Sequence, residues 1–199
     1  MRFAASMTAM SHALAKNHHR CFTIVNDEVR MVTIRKARKD DARLLTEVGM
    51  RAWRKAMASV GEAEEMAANA RDAFARFAED GWITITVVEV SGVPAGWAAR
   101  EDMDENITDF WIEPELEGQG LGSRLLQAVE DELKAQGIPL ARLQTHAMNT
   151  DALKFFERKG YQVNWLTVSY NPKLDRDVQS VGLSKLLSDA GGSGYGQEF

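Results

Sequence analysis

Three glycines fall at alternate positions in Glu117-Gly118-Gln119-Gly120-Leu121-Gly122-Ser123, just ahead of an amphipathic run. That spacing suits the binding of a polyanion. Backbone N–H groups without side chains can approach it closely, and a following helix adds partial positive charge at its N-terminus. A pyrophosphate is the natural occupant, and Arg124 could add a charge-assisted contact. The loop lacks the Lys-Ser/Thr ending of a nucleoside-triphosphate cradle, and it does not follow the opening strand of a dinucleotide fold. Glycine spacing alone also describes a plain turn.

The elements around the turn must place it. Val32 to Arg35 reads as a strand. Asp40 can cap a helix with Leu45, Val48, Ala52 and Ala56 on one face. Beyond Gly61 a second helix carries Met66, Ala70, Phe74 and Phe77. The period then changes to two: Ile83 to Val90, a Ser91-Gly92 turn and Val93 to Arg100 form a hairpin, and Ile107 to Ile112 another strand. After the glycine turn, Leu121, Leu125, Val129 and Leu133 mark a helix stopped by Gly137 and Pro139. Leu140 to Thr145 is a strand, Asp151 to Lys159 a helix and Tyr161 to Tyr170 a strand. The expectation is an α/β mixed sheet in the order β-α-α-β-β-β-α-β-α-β, with helices on both faces.

Outside this block, residues 1–30 read as an arm, with a fresh start at Met31 that could itself be an initiator. His12, His18, His19 and Cys21 there fit no zinc spacing. Residues 31–172 form the expected domain. In 173–199, Val181, Leu183, Leu186 and Leu187 could make a short helix before a tail from Gly191 to Phe199.

The run from Phe110 through Glu113-Pro114 and Gly118-Gln119-Gly120-Leu121-Gly122 to Leu126 resembles the acetyl-CoA-binding segment of the GNAT superfamily of N-acetyltransferases. Asn149-Thr150-Asp151-Ala152-Leu153-Lys154-Phe155-Phe156-Glu157-Arg158-Lys159-Gly160-Tyr161 is similar to a second element of that family. The resemblance spans roughly Val32 to Tyr170 and agrees with the element order.

The resemblance implies an acetyl-CoA-dependent N-acyltransferase in which an amine attacks the thioester directly. It implies that backbone groups of Phe110, Trp111 and Ile112 pair with the pantetheine arm. The N–H groups of Gly118, Gln119, Gly120, Leu121, Gly122, Ser123 and Arg124 would hold the pyrophosphate. Asn149 would lie near the acyl end and Phe156 beside the cofactor. It also implies a carboxylate base in or before the preceding strand, where Asp104, Glu105 and Asp109 lie; Asp104 and Asp109 are the candidates.

Two residues depart from the family pattern. Glu117 stands where a basic or amide residue is usual, and is expected to point into solvent. Phe156 stands where a tyrosine acid is usual and has no proton to give. Tyr161 and Cys21 are alternative donors, which leaves the acid unassigned. A non-catalytic acyl-CoA-binding module is the alternative function.

Toward the acceptor, Glu101 to Glu117 carry eight acids and no Lys or Arg. Such a rim would attract a cationic amine, or merely solubilise a loop. His146 could be a base, a substrate ligand or a structural ring. Trp82 and Trp97 read as core, with Trp53 nearer the acceptor side.

Composition bounds the rest. The 199 residues suit one domain, and a net charge of −5 argues against nucleic acid. No apolar run is long enough to span a bilayer, and one cysteine fits a reducing cytoplasm. A homodimer through the last strand or C-terminal segment is suggested only by analogy with the family.

Overall fold

A computed structural model describes residues 19–25, 28–58, 64–171 and 176–187. The calls on His12, His18 and the tail from Gly191 lie outside the described residues, as do the side chains of residues 19–30. The elements are β1 (His19–Val25), β2 (Glu28–Lys36), α1 (Ala42–Met57), α2 (Glu64–Asp80), β3 (Ile85–Val90) and β4 (Val93–Ala99). They continue with β5 (Asn106–Ile107), β6 (Asp109–Ile112), α3 (Leu121–Ala135), β7 (Leu140–His146), α4 (Thr150–Arg158), β8 (Gln162–Asn171) and β9 (Arg176–Leu186).

These strands form two sheets, ordered β1-β2-β3-β4-β6 and β5-β7-β9-β8. The expected order thus gains β1 and β9, and its single strand from Ile107 to Ile112 divides. Asn106 and Ile107 pair in parallel with β7, whereas Asp109 to Ile112 pair antiparallel with β4. The chain changes sheets at Thr108, whose N–H still donates to the Ala99 carbonyl at 2.9 Å. The two sheets therefore part between β6 and β7, and β6 is an edge strand.

Two apolar layers cover the first sheet. On one face Leu45, Val48 and Met50 of α1 and Phe74 and Ala78 of α2 pack on Ile85, Val87 and Trp97. On the other, Leu121, Leu125, Val129 and Leu133 of α3 meet Val32, Val88 and Ala98 and continue to Val181 and Leu183 of the second sheet. The α3 stripe expected from its 3.6-residue spacing is buried along its whole length. Trp97 is completely buried and donates its indole N–H to the Leu45 carbonyl at 2.9 Å, and Trp82 packs against the same layer.

Two local expectations are corrected. The cap position of α1 belongs to Asp41 rather than Asp40. Its carboxylate does not cap the helix; it takes two hydrogen bonds from Arg35, at 2.6 and 2.9 Å, and one from the Arg38 N–H. The segment containing Val181, Leu183 and Leu186 is a strand, not a short helix. Its neighbours on both sides, β7 and β8, supply backbone pairing that no local pattern reveals.

Candidate functional site

The strand β6 delivers the chain to a short 3-10 turn at Pro114–Leu116 and then to the glycine loop. Gly118 and Gly120 take φ values of +75° and +79°, a left-handed backbone that strains any residue with a Cβ. Gly120 is the N-cap of α3 and brings no side chain of its own to cap that helix. The first helical bond there is Arg124 N–H to the Gly120 carbonyl at 3.2 Å, so the N–H groups just ahead of it precede the α3 ladder. The loop thus brings backbone N–H groups, not capped by the N-cap residue, to the positive end of a 15-residue helix.

These donors open onto a cleft of about 560 Å³. Its walls include Phe110, Trp111 and Ile112, then Gly118, Gly120, Leu121, Gly122 and Ser123, and finally Asn149 and Phe156. Gln119 and Arg124 belong to the same loop and first helical turn without lining the cleft. Because β6 is an edge, its outward backbone groups face this gap without a strand partner among the described residues. The residues fit a long anionic ligand: an extended edge for an amide-bearing arm, and an amide cradle for phosphates. Lys154 and Arg158, four residues apart on α4, add positive charge. Neither was singled out from sequence, although their helical spacing was readable.

Glu117 does not simply face solvent. Lys55 of α1 forms an ion pair with it, and both line the cleft. One turn back, Arg51 grips Glu113 through Nε and Nη2, at 2.8 and 2.7 Å. Two ion pairs at matched four-residue spacing therefore fasten α1 to the segment leading into the glycine loop. Neither basic residue was foreseen, since their partners lie 62 positions away.

Phe156 is almost fully buried in an aromatic cluster, with ring centroids 5.4 Å from Phe110, 5.0 Å from Phe155 and 5.5 Å from Tyr161. Tyr161 lies in the core and lines neither cleft. Burial beside Glu130 pushes its phenol far above the ordinary value, which makes it a poor proton donor. The side chain of Cys21 lies outside the described residues.

A second cleft of about 930 Å³ adjoins the first and shares Ala56, Trp111 and Asn149 with it. Asn149 stands at the junction as the N-cap of α4; its Oδ1 accepts the Ala152 N–H at 3.2 Å. Trp53 and His146 line the second cleft. The Nδ1 of His146 accepts the Met148 N–H at 3.0 Å, so in the neutral ring Nε2 carries the proton.

The two carboxylates suggested as bases line neither cleft. Asp104 bonds both oxygens to Asn106, to its N–H at 2.8 Å and its side-chain amide at 2.7 Å. Asp109 accepts the Trp111 indole N–H at 2.8 Å, and Trp111 does line both clefts. Burial, with a smaller push from Glu101, raises the Asp109 carboxyl above the usual aspartate range despite that bond.

Known proteins share this fold. The model of the Acetyltransferase (GNAT) family matches residues 48–161. A [Ribosomal protein bS18]-alanine N-acetyltransferase of Escherichia coli strain K12 is 31% identical over 87 residues, which is 43% of this chain and 59% of that protein. An aminoalkylphosphonate N-acetyltransferase of Salmonella typhimurium is 36% identical over 56 residues, 28% of this chain and 36% of that protein. The chain thus spans under two thirds of the length of either. Among solved structures, the PaiA N-acetyltransferase of Thermoplasma acidophilum in complex with coenzyme A superposes with a TM-score of 0.63 at 18% identity, covering 78% of this chain and 98% of that one. The ribosomal-protein-S18-alanine N-acetyltransferase of Escherichia coli gives 0.58 at 21% identity, over 83% and 99%. With more than half of its length matched by the family model and the fold shared, the chain belongs to the Acetyltransferase (GNAT) family.

Proposed function

We propose that the protein transfers an acetyl group from acetyl-CoA to an amine. One observation carries this reading: the glycine loop and the free edge of β6 line one cleft, and that cleft meets a second one at Asn149. The pyrophosphate would rest on N–H groups of Gly118 to Arg124, and the pantetheine arm would lie along Phe110, Trp111 and Ile112. Lys154 and Arg158 would face the remaining phosphate charge. The thioester would then reach Asn149, where an amine from the second cleft attacks the carbonyl carbon and the C–S bond breaks. The amine's proton would leave through water toward Asp109, whose raised pKa brings it nearer the working pH. Asp104 is the weaker base, because its own turn holds both oxygens.

The acceptor is an amine of a small molecule or a protein, as in the relatives' reactions. A cationic acceptor draws limited support from the acidic run. Asp104, Glu105, Asp109, Glu113 and Glu117 are all bonded by the chain's own groups. The compartment that fits is the cytoplasm; no helix among the described residues is long and apolar enough to cross a membrane. A homodimer would use β8, the edge of the second sheet, where Val163, Leu166 and Val168 are exposed.

The deciding experiment is release of free thiol from acetyl-CoA over an amine panel, beside thermal stabilisation by CoA. Both signals are expected. Phe156, boxed among aromatic rings and itself without a hydroxyl, favours the second reading, a non-catalytic acyl-CoA-binding module. Stabilisation with silence across the panel would establish that reading instead.

A further inference from the structure

The second cleft is floored by the sheet β7-β9-β8. Alternation along β7 puts Arg142, Gln144 and His146 on one face, and their direct partners on β9 are Ser184, Gly182 and Ser180. Gly182 in turn faces Trp165 on β8. A Cβ at position 182 would run into Cε2 and Nε1 of the Trp165 indole. Glycine weakens a strand interior, and here it leaves room for the ring where a side chain would stand. The indole remains 43% exposed and lines the cleft, as Trp53 of α1 does. The floor is therefore an aromatic platform.

Its polar groups are one-sided. Among the described residues lining the cleft, Arg142 is the charged one and none is a carboxylate. Glu105 holds the Arg142 Nη1 at 3.2 Å without itself lining the cleft, which steadies the guanidinium and leaves other N–H groups. His146 also lines the cleft, with Met148 N–H on its Nδ1. Arg142 lies four residues along the strand from His146, roughly 13 Å at the usual rise.

We propose that the acceptor is an amine with a flat or apolar body and a carboxylate at the end away from its nitrogen. The body rests on Trp165, Arg142 receives the carboxylate, and the amine points to Asn149. This rests on the acetyl-transfer reading, and it names the substrate class for that site.

Three amines of one shape test it: 4-(aminomethyl)benzoate, 4-methylbenzylamine and p-xylylenediamine, which end in a carboxylate, a methyl and an ammonium. Thiol release is expected to favour the carboxylate about tenfold in kcat/KM over the methyl compound. The ammonium compound should be slowest, and Arg142→Gln should level all three. Gly182→Ala and, in case that variant folds poorly, Trp165→Leu should raise KM for the carboxylate compound about fivefold, with CoA affinity unchanged. A preference for the ammonium or methyl compound, an order that survives Arg142→Gln, or an unmoved KM in both platform variants would overturn the proposal. Calorimetry with the CoA-saturated protein separates the two readings. Unequal binding in the expected order without turnover sinks acetyl transfer alone, and equal binding sinks the acceptor assignment.

Discussion

The Asp109 carboxylate accepts the indole N–H of Trp111 at 2.8 Å, two residues along the same strand. That bond joins a desolvated acid to a ring shared by both clefts. Asp109→Asn is expected to lower kcat/KM on the order of 100-fold, the range of a lost general base. The acid limb of the pH profile, set in the parent by a carboxyl raised above the ordinary value, should disappear. The sign on stability is opposite to that of a salt bridge. A raised folded-state pKa means that stability falls as pH rises from the ordinary to the raised value, and stays lower above it. The variant should therefore melt no lower than the parent at neutral pH.

Gly120→Ala tests the cradle. A Cβ there meets nothing within 4 Å, so the cost is purely one of backbone conformation at φ +79°. Stability should drop by about 1 kcal/mol. CoA affinity should fall about tenfold as the amides turn away from the phosphates, a change of roughly 1.4 kcal/mol. Thermal melts and calorimetry with CoA measure both.

Lys55 and Glu117 face each other at the cleft mouth, each nearly half exposed. Glu117→Gln removes a carboxylate beside the phosphate site and releases the lysine, so CoA should bind about threefold tighter at low salt. Lys55→Ala should weaken binding by a similar factor. Both differences should shrink at high salt as screening takes over, which titrations at two ionic strengths would show.

Phe156→Tyr adds a hydroxyl at the aromatic wall of the cofactor cleft. A nearby donor for the departing thiolate should raise kcat about tenfold, at the low end for general acids because coenzyme A is already a fair leaving group. Single-turnover thiol release would report it. A fall in kcat with unchanged CoA affinity would mean the hydroxyl points away from the sulfur.

Arg35 is buried between Asp41 and Glu89, at 2.6 and 2.7 Å. Burial alone would raise the Asp41 carboxyl, but hydrogen bonds from Arg35 and the Arg38 backbone outweigh it and hold it below the usual range. Its contribution to stability is complete above the ordinary aspartate pKa and is lost as pH falls through the lowered folded-state value. Arg35→Ala leaves two buried carboxylates unpaired and should cost about 3 to 5 kcal/mol at neutral pH. Denaturant melts should show that penalty shrinking in acid.

Legibility in the sequence followed the range of the interactions. The glycine loop, the α3 stripe and the Asn149 cap are local patterns, and each could be read from a dozen residues. The strand from Arg176 to Leu186 could not, because its β7 partners are 34 to 46 residues away in the chain and its Leu183, Leu186 and Leu187 also fit a helical face. Lys55, Arg51, Trp165 and Gly182 became site residues only through distant contacts. The acidic run misled for the same reason. Its charges are distributed to Arg51, Lys55, Arg142 and the Trp111 indole, none of which is near enough in sequence to announce the pairing, apart from Trp111 itself.

The crossing at Thr108 has a mechanical consequence. With β6 bonded to one sheet and only Asn106 and Ile107 bonded to the other, few backbone rungs link the two halves of the molecule. A ligand that lays amides along β6 toward β7 would act as a missing rung. Amide protons of β7 and β9 should then exchange more slowly when CoA is bound, although they lie beyond the phosphate cradle, and the two sheets should open as one unit instead of separately.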